Sequence, residues 1–207
     1  MPPSHSDKAL VHIVDDDISL SKALKRLFNS VGLETKAYGS VSEFAEAPQV
    51  DLPGCLLLDV RLPGVSGIEF QARLSDLGIR LPVILMSGHG DIPMSVRAMK
   101  AGALDFLQKP FRDQDMLDAV TLAISRDRDR RSAESQTAQL KTRFSTLSAR
   151  EQQVMGLAAA GKMNKQIAGE LGISEVTVKI HRGSAMRKME ARSYADLVRM
   201  FDALKRL

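Results

Sequence analysis

Five short apolar runs, each followed by an amphipathic stretch, fill the first 120 or so residues and restrict the fold more than any other feature. The runs are Leu10–Val14, the weaker and partly polar Thr35–Tyr38, the fully apolar Cys55–Leu58, Val83–Met86 and Leu104–Leu107, which is broken by Asp105. A strand covered on both faces reads as an unbroken apolar run, so the pattern predicts a parallel sheet with helices on both sides. Between the runs, Leu20, Leu24, Leu27, Phe28 and Val31 recur at helical spacing, and Gly32 supplies a stop. Ser42–Ala47, with Ser42 as N-cap, Ile68–Leu77 and Ile92–Ala101 are the next helices expected. Asp113 is expected to cap a fifth, whose stripe is Leu117, Val120 and Ile124. The fold class expected is α/β: a doubly wound, five-stranded parallel domain, a helical linker and an all-α domain.

The apolar stripe stops at Ile124. From Ser125 to Gln139 only Ala133 and Ala138 are apolar, and no Gly or Pro intervenes. Such a stretch reads as a solvent-bridging helix or linker, not a core element. The boundaries drawn are 1–125 for the first domain, 126–144 for a polar, helical linker and 145–207 for the second domain. In the second, Ser148 and Glu151 form a capping box that opens a helix to about Ala160. Asn164–Leu171 and Glu175–Met189 flank the turn Gly172-Ile173-Ser174, and Tyr194–Leu207 closes the chain. Charge follows the same division. Residues 1–125 carry 12 Lys and Arg against 16 Asp and Glu, a net −4, while residues 126–207 carry 17 against 9, a net +8. The basic half is a candidate for nucleic acid, with a merely solvated basic surface as the plain alternative.

Polar residues end four of the five apolar runs. Asp15, Asp16 and Asp17 follow the first, Asp59 the third, Ser87 the fourth, and Lys109 stands just past the fifth. In a doubly wound sheet, ligands bind outside the carboxyl ends of the strands, where strand order switches. If the first and third strands are neighbours, the carboxylates converge, and clustered carboxylates call for protons or a cation. Hard oxygen ligands suit Mg²⁺. The three consecutive aspartates could equally serve only to cap the helix that follows. An acidic cluster, a nucleophilic Asp, a hydroxyl and an ammonium on one edge form a phosphoryl-transfer set.

Residues 8–125 resemble a response-regulator receiver domain. The resemblance is carried by Val-Asp-Asp-Asp, Leu-Asp-Val-Arg-Leu-Pro-Gly-Val-Ser-Gly, Ser-Gly-His-Gly-Asp and Gly-Ala-Leu-Asp-Phe-Leu-Gln-Lys-Pro-Phe. It implies that Asp59 accepts a phosphoryl group from a histidine of a sensor kinase. It implies a Mg²⁺ site made by Asp16 directly, Asp15 through water, Asp59, and the backbone carbonyl of Arg61. Ser87 and Phe106 match the family's switch pair, and Lys109 matches its lysine, with a cis bond to Pro110 expected. Arg61 and His89 stand where the family tunes dephosphorylation.

In the second domain, helix–turn–helix spacing places Val178, His181, Ala185 and Met189 on one stripe facing the core. Lys179, Ile180, Arg182 and Gly183 then lie toward the outside, where a helix can enter the major groove. A small protein-binding bundle fits the pattern as well. Leu-Ser-Ala-Arg-Glu-Gln-Gln-Val-Met, Gly-Lys-Met-Asn-Lys-Gln-Ile-Ala and Leu-Gly-Ile-Ser-Glu-Val-Thr-Val-Lys-Ile-His-Arg resemble the LuxR-type DNA-binding domain. By that resemblance, Lys179 and Ile180 reach base edges, while Asn164, Lys165, Thr177, His181 and Arg182 lie near the DNA backbone. Gly183 departs from relatives that carry a longer side chain there. The two halves together resemble the FixJ/NarL class of response regulators. The function implied is a phosphorylation-activated transcription regulator that dimerises when phosphorylated, binds a double-stranded DNA operator and works with RNA polymerase.

Other classes fit less well. A Mg²⁺-dependent phosphatase with an aspartyl nucleophile would show Asp-x-Asp, whereas this chain has Asp59-Val60-Arg61 and no cap domain. No P-loop is present, so the chain is not expected to be an enzyme. No apolar run nears the ~18 residues that span a bilayer. The opening residues carry no apolar h-region, so neither a leader nor membrane association is expected. The single cysteine, Cys55, sits in an apolar run and reads as a core residue in a cytoplasmic protein.

Overall fold

A computed structural model of the chain describes residues 8–48, 50–88 and 92–205. They divide into two compact units that part between Arg131 and Ser132.

In the first unit five parallel strands alternate with helices. They are β1 (Leu10–Val14), α1 (Ile18–Ser30), β2 (Glu34–Tyr38), α2 (Val41–Glu46), β3 (Gly54–Asp59), α3 (Gly67–Arg73), β4 (Val83–Ser87), α4 (Ile92–Lys100), β5 (Asp105–Gln108) and α5 (Asp113–Ser145). The sheet order is β2-β1-β3-β4-β5, so β1 and β3 are neighbours at the switch point. Every residue of β1, β3 and β4 is buried, which is why these strands lack apolar–polar alternation. Successive side chains go to opposite faces. Val11, Ile13, Cys55, Leu57, Ile84 and Met86 meet Leu24 and Phe28 of α1 and Met116, Val120 and Ala123 of α5. Leu56, Leu58 and Leu85 meet Phe44 of α2, Phe70 of α3 and Ala98 of α4.

Element ends depart from the sequence expectations where hydrogen bonding outruns hydrophobicity. The cap of α2 is Ser40, which accepts from Glu43 N, and not Ser42. Asp113 is the first helical residue of α5 and not its cap. Helix α3 stops at Arg73 although the apolar spacing continues through Leu74 and Leu77. The chain there turns through Asp76 N→Arg73 O and Gly78 N→Ser75 O bonds and leaves at Gly78 with φ of +71°. Strand β5 is shifted one residue from the apolar run, pairing Ile84 with Asp105 and Ser87 with Gln108. An edge strand is only half covered, so its apolar side chains do not mark its hydrogen-bonded length.

Residues 126–144, expected to be a polar helical linker, lie within α5. Asp127, in that stretch, is fully buried. Its carboxylate accepts Gly54 N at 3.1 Å and pairs with Arg130 and Arg131, and Arg131 also reaches Asp51. The sequence reading of this stretch as free of core residues is therefore corrected: the burial comes from a backbone partner far away in sequence, which local composition does not reveal.

The second unit contains the carboxyl-terminal part of α5 with α6 (Ala149–Ala159), α7 (Asn164–Leu171), α8 (Glu175–Lys188) and α9 (Tyr194–Lys205). The Ser148–Glu151 capping box is formed in both directions. Leu147, Met155, Ala185, Met189 and Leu197 make one core cluster, against which Leu140, Phe144, Phe201 and Leu204 pack. Val154, Ala158, Ile167, Ala168 and Val178 make the other. Among the described residues no helix is long and apolar enough to cross a membrane.

Candidate functional site

The carboxyl ends of β1 and β3 bring Asp15 and Asp59 together, both almost fully buried. Lys109, one residue past β5, lays its ammonium 2.7 Å from Asp15 Oδ2 and 2.8 Å from Asp59 Oδ1. The remaining oxygens are held by backbone: Asp17 N donates to Asp15 Oδ1 at 2.9 Å, and Arg61 N donates to Asp59 Oδ2 at 3.1 Å. Burial raises the Asp15 pKa, outweighing the opposing pull of Lys109. Burial by itself would lower the Lys109 pKa, but its bonds to Asp15 and Asp59 prevail and hold it above the ordinary value.

A glycine makes room for this corner. Gly67 N donates to Val60 O at 2.9 Å, and a Cβ at Gly67 would stand 2.2 Å from the carbonyl oxygen of Asp59. Any other residue would push the 61–66 loop off the end of β3.

Of the three consecutive aspartates, Asp17 is the helix cap, accepting from Ser19 N and Leu20 N. Asp16 is exposed and points its carboxylate to the cluster: ligand oxygens of Asp15, Asp16 and Asp59 all lie within 4.8 Å of one another. Three carboxylates face one ammonium, so the cluster is short of positive charge, and its donors are hard oxygens. That is the donor set that suits Mg²⁺. Cys55 is fully buried with its thiol pKa pushed up by burial, consistent with a core role.

Ser87 ends β4 and is fully buried, with Oγ 3.7 Å from Met94 Sδ. Its carbonyl accepts Lys109 N at 2.7 Å, which ties the ends of β4 and β5 together. Phe106 is half-buried and packs on the cluster beneath α4. The Lys109–Pro110 bond is cis. His89 lies outside the described residues. Met94 was not singled out from the sequence; only its distance from Ser87 in the fold reveals it.

In the second unit α7, the turn with Gly172 at φ of +63°, and α8 form a helix-turn-helix. Val178, Ala185 and Met189 face the core as the spacing implied, while His181 is half-buried. Lys165, Lys179 and Ile180 are exposed, and Thr177 is half-buried, its hydroxyl 2.8 Å from Ser174 Oγ. Arg182 does not stand free on the outer face. Its guanidinium bonds Asn164 Oδ1 and lies 4.4 Å from the centre of the Tyr194 ring. Tyr194, absent from the sequence-derived site, joins α8 to α9 and α6, its hydroxyl donating to Ala158 O.

Residues 11–121 match the response regulator receiver domain family, and residues 145–201 match the bacterial regulatory proteins of the luxR family. Nodulation protein W of Bradyrhizobium diazoefficiens is 58% identical over 199 residues, which span 96% of this chain and 88% of that protein. The chain belongs to the response regulators. Its pairing of a receiver with a LuxR-type DNA-binding domain is that of the FixJ/NarL class. Response regulator protein TodT of Pseudomonas putida is 46% identical over 201 residues, 97% of this chain and 88% of that one. A solved structure of the response regulator StyR is 48% identical with a TM-score of 0.86, covering 94% of this chain and 98% of that chain. The chain is a transcription regulator of the two-component type.

Proposed function

We propose that Asp59 is the phosphoacceptor, taking the group from a phosphohistidine of a sensor kinase, and that phosphorylation promotes dimerisation and operator binding. The observation that carries this reading is the Lys109 ammonium, hydrogen-bonded to both Asp15 and Asp59 at the sheet's switch point. In the transfer the P–N bond to the kinase imidazole breaks and a P–O bond to the Asp59 carboxylate forms. Lys109 neutralises charge on the phosphoryl oxygens, and the burial of Asp59 excludes competing water. Asp15, Asp16, Asp59 and the Arg61 carbonyl would hold Mg²⁺, which when bound neutralises further phosphoryl charge. Beside the site, α1 and the segment after β5 border an open cleft of about 660 Å³, in which Leu20, Leu24, Leu27, Pro110 and Phe111 are rimmed by Asp17, Arg26, Lys109 and Asp113. It suits the apolar face of a kinase helix.

The acyl phosphate offers an oxygen to the Ser87 hydroxyl. Movement of Ser87 away from Met94 leaves room for Phe106 to turn inward, which alters the face made by α4 and β5. That face exposes Ile92, Val96 and Met99, suited to a second copy of the chain. Two joined copies raise the effective concentration of the second DNA-binding domain. Lys179 and Ile180 then read base edges, and Asn164, Lys165, Thr177, His181 and Arg182 lie along the phosphates, with RNA polymerase as the downstream partner. A cytoplasmic location follows from these partners.

The test compares wild type with Asp59→Asn during labelling by phosphoramidate or acetyl phosphate. The amide is close to isosteric but not nucleophilic, so the label is lost while the fold persists. Labelled wild type should also gain mass as a dimer and bind its selected operator more tightly. Labelling of Asp59→Asn at the wild-type rate, or multiple turnover of small phosphate esters, overturns the assignment.

A further inference from the structure

Helix α8 has two contrasting faces. Val178 and Ala185 are buried within the unit, with Met189 following. Opposite them, at i, i+3, i+4 and i+7, stand Val176, Lys179, Ile180 and Gly183, all exposed. Val176 and Ile180 are 65% and 63% exposed, one helical turn apart, and belong to neither core cluster of the unit. An exposed β-branched pair on a helix otherwise rich in charge contributes nothing to the domain's own packing.

Gly183 is equally unexplained by the fold. It lies inside a 14-residue helix at a φ that any residue adopts, and a Cβ built there meets nothing within 4 Å. Among the described residues neither a turn nor a close approach requires glycine there, and glycine weakens a helix interior. What remains is a close approach to something outside the chain. The surroundings name its chemistry: Lys179 and Arg187 are exposed on this helix and Lys165 on α7, in a segment of net charge +8. That complements a polyanion, and the major groove adds the apolar feature that Val176 and Ile180 need, the thymine methyl group.

Resting on the reading that α8 enters the major groove, we propose that Val176 joins Ile180 in a pair that takes thymine methyl groups, and that Gly183 keeps the helix backbone close to the bases. The four residue steps from Val176 to Ile180 rise about 6 Å along the helix, and base steps are about 3.4 Å apart. The two thymines should therefore lie within about two steps of each other in each half-site.

The experiment uses the full chain and a duplex recovered by random-site selection, with each thymine replaced in turn by deoxyuridine, which keeps pairing and removes only the methyl. Two positions should each weaken binding about fourfold, the effect of one buried methyl group. Val176→Ala should remove the penalty at one of them and leave the other. Gly183→Ala should raise the melting temperature while weakening operator binding several-fold. If no deoxyuridine matters, or Val176→Ala keeps the wild-type affinity and profile while Lys179→Ala weakens binding, the methyl-reading pair is wrong and the groove reading stands. If Lys179→Ala, Ile180→Ala and Val176→Ala all bind as wild type, both fail. A stabilised Gly183→Ala that binds normally removes the role given to Gly183.

Discussion

Lys109 Nζ lies 2.8 Å from Asp59 Oδ1, across 50 residues of sequence, and the same ammonium lies 2.7 Å from Asp15. One cation thus serves two buried carboxylates, while Asp16 adds a third from the exposed side. Among the described residues the three carboxylates meet one positive charge, so the corner is open to a second.

Removing that charge makes the first prediction. In Lys109→Ala, Asp15 and Asp59 are left facing each other, and like charges at short range disfavour ionisation and folding. The lysine side chain is 21% exposed, so solvent softens the effect. A loss of about 1–3 kcal/mol is expected. Because the missing charge can be replaced, added Mg²⁺ should raise the melting temperature more in the variant than in wild type. Thermal melts with and without Mg²⁺ check both; an equal Mg²⁺ response would show that the metal lies elsewhere.

Asp16→Ala should act in the opposite way. Its carboxylate is exposed and repels its two neighbours, so the metal-free melting temperature should stay level or rise. Mg²⁺ affinity and the rate of labelling should both fall. A Mg²⁺ titration followed by thermal shift decides it, and unchanged affinity would remove Asp16 from the metal site.

These corner residues were legible in the sequence because fully buried parallel strands leave a sharp signature: an unbroken apolar run, then an abrupt polar residue. Asp15, Asp59 and Ser87 each follow that rule, and Lys109 stands only one residue past its strand. Local capping was legible at Ser148 and Glu151 because both partners of the box stand three residues apart. What stayed hidden depends on local ties between equivalent residues or on partners distant in sequence. Ser40 displaced Ser42 as a cap by two residues, a local choice between two serines that propensity does not resolve. Arg182 looked like a free DNA contact until α9 brought Tyr194 beneath it. Asp127 looked solvated because nothing near it in sequence predicts burial.

For the DNA face, Lys179→Ala should weaken operator binding by about 1–3 kcal/mol if it reads a base. If it reads a phosphate, the loss should be similar on all sequences and the salt slope should flatten by about one unit. Titrations at several salt concentrations on selected and unrelated duplexes separate the two. Wild-type affinity on both would remove Lys179 from the interface.

His12 supplies a pH-dependent term. It is buried on β1, stacked with Tyr38 and edge-on to Phe44, with Nδ1 3.2 Å from the Tyr38 hydroxyl. Burial, aided by the charge of Lys36, lowers its pKa to about 4. The unfolded chain, with a pKa near 6.5, therefore takes up a proton that the folded chain refuses. Stability from this group is intact above about pH 6.5 and is lost as pH falls toward 4, by at most about 3 kcal/mol. Replacing His12 with Gln should flatten that slope, read from denaturant melts of the chain at stepped pH; an unchanged slope assigns it to other groups.

Asp127 gives the last prediction. Its carboxylate is fully buried, accepts the N–H of Gly54 at the start of β3, and faces the guanidinium groups of Arg130 and Arg131. Removing it strands a buried backbone donor and leaves two cations without their central partner, the situation that makes broken buried pairs costly. Asp127→Ala should cost about 2–4 kcal/mol of stability in the first unit. Asp129→Ala, two residues away and exposed, should change it by less than about 0.5 kcal/mol. Because the latch is buried, the Asp127 effect should persist in high salt, unlike that of a surface pair. The same argument extends to truncation: a fragment ending at residue 125 loses the latch, whereas one ending at residue 131 keeps it, so the longer fragment should melt higher. Equal melting of the two fragments, or of Asp127→Ala and wild type, would show that the tie to Gly54 contributes nothing.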